Sequence, residues 1–121
     1  MTKTALWTNA SPTSSFAEQN VTLSKDIDNF DYLEFEWNHA SSTTVKGSLL
    51  VDVPTFKTYT TATSSVVYVA MCGQQGTGSR YVRNVRYVSD TSVQFSTTSL
   101  YNGTGAFNTM VIPTNIYGVK K

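Results

Sequence analysis

Few side chains in this 121-residue chain are equipped for covalent chemistry: His39 is the sole imidazole and Cys72 the sole thiol. A Ser-His nucleophile needs its hydroxyl beside an imidazole base. Hydroxyls abound, with 19 Thr and 14 Ser filling 33 positions, so a partner for His39 is easy to draw and nothing singles one out. His39 is expected as a surface residue at a strand end. Cys72 closes the apolar run 65–72 and is expected as a buried, inert thiol. One thiol forms no intramolecular disulfide, and one Cys with one His excludes the usual thiolate- or imidazole-rich metal centres.

Carboxylates offer two further patterns. Glu34 and Glu36 lie two residues apart on one strand face, the placement a hydrolytic pair needs, but that spacing is common on half-exposed strands and no neighbour is placed to raise one pKa. They read as a solvated face. Asp26, Asp28 and Asp31 lack the Gly and the bidentate Glu of an EF-hand loop and read as a turn. The sequence therefore predicts no catalytic residue, no metal site and no cofactor.

Arg80, Arg83 and Arg86 are all the arginines of the chain, on one strand-like stretch with Tyr81 and Tyr87 between them. A period of 2 sends Arg80 and Arg86 to one face and Arg83 to the other, so they make no basic stripe. Single-stranded nucleic acid requires a basic groove with stacking aromatics, and a net charge of +1 supplies no long-range attraction. Nucleic acid is not an expected partner. Arg80 and Arg86 are expected to bridge to acids on neighbouring strands or subunits, because guanidinium forks suit interface hydrogen bonds. The seven tyrosines are more suggestive of binding. Aromatic faces with hydroxyl and amide neighbours match neutral glycans, which offer CH faces for stacking and OH groups for hydrogen bonds. The candidate ligand-binding residues are Tyr59, Gln74 and Gln75 in the glycine-rich stretch 73–79, and Tyr101 with Asn102 at the Asn-Gly turn. The same composition also makes adaptable protein interfaces.

The elements that must position these residues are strands. Thr is β-branched, Ser and Thr gain nothing inside helices, and charged residues reach only 14% against roughly 25% in an ordinary soluble domain. The stretch 31–38 alternates Leu33, Phe35 and Trp37 against Glu34, Glu36 and Asn38, a half-buried strand with Trp37 in the core. Further strands are expected at 16–23, 48–53 (stopped by Pro54), 65–72 (buried on both faces), 80–88, 93–96, 107–112 and 116–119. An edge strand or extended loop is expected at 55–63, and 89–92 reads as a hairpin turn. The stretch 73–79 is a loop and no phosphate cradle, since a strand follows it where a helix is required. About eight short strands at roughly ten-residue spacing predict a single antiparallel β-sandwich, jelly-roll-like, over 1–121, with both terminal strands at an edge. No run is long and apolar enough for a membrane span or a signal peptide, so cytosolic synthesis and no membrane insertion are expected.

The opening Leu6-Trp7-Thr8-Asn9-Ala10-Ser11-Pro12 and the closing Ile112-Pro113-Thr114-Asn115-Ile116-Tyr117-Gly118-Val119 resemble the C-terminal modules of phage tail fibre and minor structural proteins, mostly from phages of Gram-positive hosts. The middle fits as well, with Asp31-Tyr32-Leu33-Glu34-Phe35 and an Arg-bearing strand before a hairpin at 80–95. The resemblance implies a β-sandwich receptor-binding tip in the virion, on a tail fibre or baseplate, assembled in the host cytoplasm. It further implies a homotrimer that contacts other virion proteins and a host cell-surface polysaccharide. The motif residues themselves look structural: Pro113 is expected to end a strand, Gly118 to allow close approach. The alternative is a non-enzymatic decoration or fibre-trimerisation module that binds only other virion proteins; an enzyme would need Glu34, Glu36 or His39.

Overall fold

Hydrophobic alternation sets the sheets. The computed structural model describes residues 1–60, 69–75, 79–101, 103 and 105–121, with the side chains of Val69 and Gln75 left out. Nine strands are formed among them: β1 (Thr2–Thr8), β2 (Gln19–Thr22), β3 (Tyr32–Ala40), β4 (Lys46–Asp52), β5 (Val69–Gln75), β6 (Ser79–Ser89), β7 (Ser92–Phe95), β8 (Ser99–Leu100) and β9 (Met110–Lys120). One sheet runs β1-β9-β3-β4 and the other β2-β7-β6-β5, with β8 also paired to β6. Every pairing is antiparallel. The expected antiparallel sandwich is thus present, with nine described strands where about eight were anticipated. Leu33, Phe35 and Trp37 of β3 point inward as expected and join Leu6, Phe56, Met71, Val85, Phe95, Ile112 and Ile116 in one core. The turn at 89–92 closes the β6–β7 hairpin, with Ser89 opposite Ser92.

The two end motifs meet in space. Trp7 pairs with Ile116 and Thr8 with Asn115 across β1 and β9. Asn9 then prolongs the contact, donating its backbone N–H to Thr114 O at 2.9 Å and its side-chain amide to Pro113 O at 2.8 Å. Segments about a hundred residues apart in sequence are therefore one structural unit that closes the first sheet. Gly118 fits the expectation of close approach: a Cβ there would lie 2.5 Å from the Phe30 ring.

Several expectations are corrected. Pro113 does not end a strand, and β9 is one continuous strand that lies inside its sheet between β1 and β3 instead of at an edge. The register steps from Glu36–Asn115 to Trp37–Pro113, leaving Thr114 as an extra residue. Such a bulge, just past the last β1 pair, tolerates the missing proline N–H because the ladder is already interrupted there. The stretch at 55–63 opens not as a strand but as the helical turn α1 (Val53–Phe56). Asp52 caps it by accepting from Thr55 N–H at 2.7 Å, and Pro54 stands in its first turn. Residues 61–63 lie outside the described residues, as do 65–68 of the strand expected at 65–72. The described part of that strand is not buried on both faces. Met71 and Gly73 turn inward, Ala70, Cys72 and Gln74 outward, so Cys72 is exposed rather than buried. Finally, 73–79 is not one loop: β5 runs through Gln75 and β6 begins at Ser79.

The residue that ties the sheets together is Arg83, fully buried in the middle of β6. Its Nε donates to Val111 O at 2.8 Å, Nη1 to Ser96 O at 2.8 Å and Nη2 to Phe16 O at 2.9 Å. The Phe16 ring lies 5.1 Å from the guanidinium carbon. Burial pulls its pKa down from 12.5 to about 10, which leaves it charged at neutral pH. Three carbonyl oxygens and a ring face take the place of water and a counter-ion. One of those carbonyls belongs to Val111, whose φ of 50° is a left-handed conformation that a β-branched residue adopts only when its surroundings hold it. Replacing Arg83 with Met keeps the bulk and removes the donors. Charged hydrogen bonds contribute about 1.5–3 kcal/mol each, so R83M should lose about 3 kcal/mol or more of stability in urea unfolding; an unchanged midpoint would remove Arg83 from this role.

Candidate functional site

β-pairing brings together residues that the sequence offers separately. Gln74 of β5 stands opposite Arg80 of β6, and Tyr101, just after β8, donates its N–H to Arg80 O at 2.9 Å. Gln74, Arg80 and Tyr101 thus form a row across three neighbouring segments on the outer face of the second sheet, and all three are exposed. Arg80 and Val82 are outward because Arg83 and Val85 are inward. The row borders an open groove of about 340 Å³, whose lining also includes Cys72, Tyr81 and Val82, and His39 from β3. Tyr81 is braced from behind by Phe107, ring centroids 5.2 Å apart. Gly73 is turned inward beneath the row, where a Cβ would sit 3.1 Å from His39 Nδ1 and 3.3 Å from a Val111 methyl. His39 Nδ1 is buried without a hydrogen-bond partner.

The other nominated residues fall elsewhere. Tyr59 is half-buried beside α1, its ring edge-on to Phe56 at 6.4 Å and its carbonyl accepting from Tyr87 N–H at 2.8 Å. It is part of the packing around Phe56 and takes no part in the groove. Asn102 and the side chain of Gln75 lie outside the described residues. Arg86 reaches no acid among the described residues: its Nε donates to Gln94 Oε1 and its Nη1 to Thr60 O at 3.1 Å. Arg80 likewise has no acid beside it among the described residues. The expected intrachain bridges to carboxylates are therefore absent there, because the neighbouring strands present Gln74 and Gln94 opposite these arginines.

The carboxylates are engaged structurally. Glu34 pairs with Lys3 at 2.7 Å. Glu36 accepts from Thr114 Oγ1 at 3.2 Å and Asn115 Nδ2 at 2.9 Å, which pins the β9 bulge. His39 is part of the groove and Glu34 and Glu36 are not, so these three do not make one constellation.

A second cluster joins Asp26, Asp28 and Asp90, with carboxylate oxygens within 4.8 Å of one another. Asp26 caps the short 3-10 turn by accepting from Asp28 N–H at 2.8 Å. A cation is already supplied by Lys57, whose Nζ contacts Asp28 and lies 3.1 Å from Asp90 Oδ1. The Tyr87 hydroxyl donates to Asp90 at 2.6 Å. This cluster fastens α1 and the 3-10 turn to the β6–β7 hairpin. The Tyr87 hydrogen bond, then Lys57, hold the Asp90 carboxyl below its ordinary 3.8. A carboxyl depressed by folding stabilises the native state above the unfolded-state pKa, and that contribution is lost as pH falls through the native one. The unfolding midpoint of the native chain should therefore fall as pH drops below about 3.8, and less steeply in D90N. Identical acid profiles for the two would contradict the assignment.

No family model, curated protein or solved structure matches the chain.

Proposed function

We propose that the chain is a glycan-adhering tip module of a phage tail fibre or baseplate, a virion protein without enzymatic activity. The observation that carries this reading is the row Gln74, Arg80 and Tyr101 beside a groove walled by Tyr81 and Val82. An amide and a guanidinium on paired strands with an exposed aromatic in the adjoining turn suit a sugar, which needs a stacking surface and fixed polar partners. The end motifs that resemble tail-fibre modules add support of a different kind, since they form the β1–β9 closure and leave the opposite sheet's outer face for binding.

A second reading is an assembly module that binds only virion proteins, copies of itself included. The edge strand β4 favours it: Leu50 is 49% exposed on that strand and Val45 just before it is 60% exposed, apolar surface that a neighbouring subunit would cover. Under either reading the tip is a homotrimer, and light scattering should give three times the 13.3 kDa chain mass.

Fluorescently labelled full-length protein separates the two. The proposal expects adhesion to Gram-positive cells and competition by their solubilised wall polysaccharide. No adhesion to cells, together with docking onto virions that lack the protein, would replace it with the assembly reading.

A further inference from the structure

The groove's charge is unusual within this molecule. Lys3, Lys46 and Lys57 each face a carboxylate, Arg83 is spent on carbonyls in the core, and Arg86 is held by Gln94 and Thr60 O. Arg80 is exposed, and among the described residues its guanidinium has neither an acid nor a hydrogen-bond acceptor. The groove lining contains no carboxylate. One cation without an acid beside it among the described residues therefore stands next to Val82 and Tyr101. Beside it Tyr101 is 64% exposed, an aromatic residue in reach of a ligand.

We infer that this groove binds a sugar unit bearing a carboxylate, a uronic-acid-type residue, with Arg80 taking the charge in a bidentate fork and Tyr101 stacking on the ring. This rests on the proposed glycan-binding reading and narrows it to one class of sugar. The volume of about 340 Å³ lies at the lower end of small-ligand sites, in keeping with one ring rather than an extended chain. A planar guanidinium matches a planar carboxylate with two parallel hydrogen bonds. A phosphodiester would ask for donors around a tetrahedral centre, and the groove lines up one cation.

The test is titration calorimetry of the full-length chain with oligogalacturonate and oligoglucuronate, their methyl esters, and a phosphodiester-linked galactose oligosaccharide. At least one uronate should bind, and its methyl ester should bind about tenfold more weakly or worse, the loss expected for one charge-assisted pair. Arg80→Gln should show the same loss with an unchanged urea midpoint, and Tyr101→Ala should weaken binding independently. Bound uronate should also slow alkylation of Cys72 by iodoacetamide, since that thiol lines the groove. Failure of both uronates, equal or tighter binding of the ester or the phosphodiester sugar, or undiminished binding by Arg80→Gln would overturn the inference. If cells are still bound in any of those cases, the glycan-adhesion reading stands and only the sugar class falls; if cells and all the sugars go unbound, both fall.

Discussion

A guanidinium buried without a carboxylate has to be surrounded by fixed acceptors, and much of this sandwich is arranged to provide them. Arg83 reaches from β6 to Val111 in β9, to Ser96 after β7 and to Phe16 before β2. One side chain thereby links the two sheets and two connecting segments. It also satisfies carbonyls that the irregular backbone near Val111 and Phe16 leaves outside the ladders. Desolvating a charge is expensive unless it is fully hydrogen-bonded, so the arrangement is stable only as a set. Loosening one acceptor leaves the cation and the remaining carbonyls poorly matched.

The same constraint reaches the surface. Side chains alternate along a strand, so Arg83 pointing inward commits Arg80, three residues earlier, to the outer face. Pairing with β5 then puts Gln74 beside it, and the segment after β8 adds Tyr101. Val111 takes part in both places: its carbonyl holds Arg83 and its methyl abuts Gly73 under the groove floor. Core and groove thus share backbone, which holds Gln74 and Arg80 on paired strands, with Tyr101 in the turn that follows β8. The hydroxyl-rich, weakly charged composition fits this economy. Acids are mostly matched to lysines or used as caps, and the arginine beside the groove is left over.

Much of this was legible in the sequence. The alternation in β3, the β6–β7 turn and the all-β class follow from periodicity and turn chemistry, which are local properties. Opposite faces for Arg83 and its two neighbours followed from period 2, yet not that Arg83's face is the core. The available signal was its company, because Tyr81, Val85 and Tyr87 share its parity. The continuity of β9 through Pro113 was hidden, since a bulge depends on the partner strand β3 as much as on β9 itself. Cys72 was misplaced because an apolar run was taken as buried on both sides, whereas Gly73 and Met71 occupy the inward positions. Gln74, Tyr101 and Arg80 were each named, for two different roles. Their adjacency depends on strand order and register, which no local pattern encodes, and the same ignorance put Tyr59 among the binders when it packs on Phe56.

The central claim is that one face, the outer surface of β5 and β6 beside Tyr101, meets the ligand. The most direct measurement is a residue-resolved amide NMR titration of the full-length protein with solubilised Gram-positive wall polysaccharide. The account predicts shifts concentrated at Cys72, Gln74, Arg80, Val82 and Tyr101. Shifts concentrated instead at Glu34, Leu50 and Tyr117, on the outer face of the opposite sheet, would contradict it.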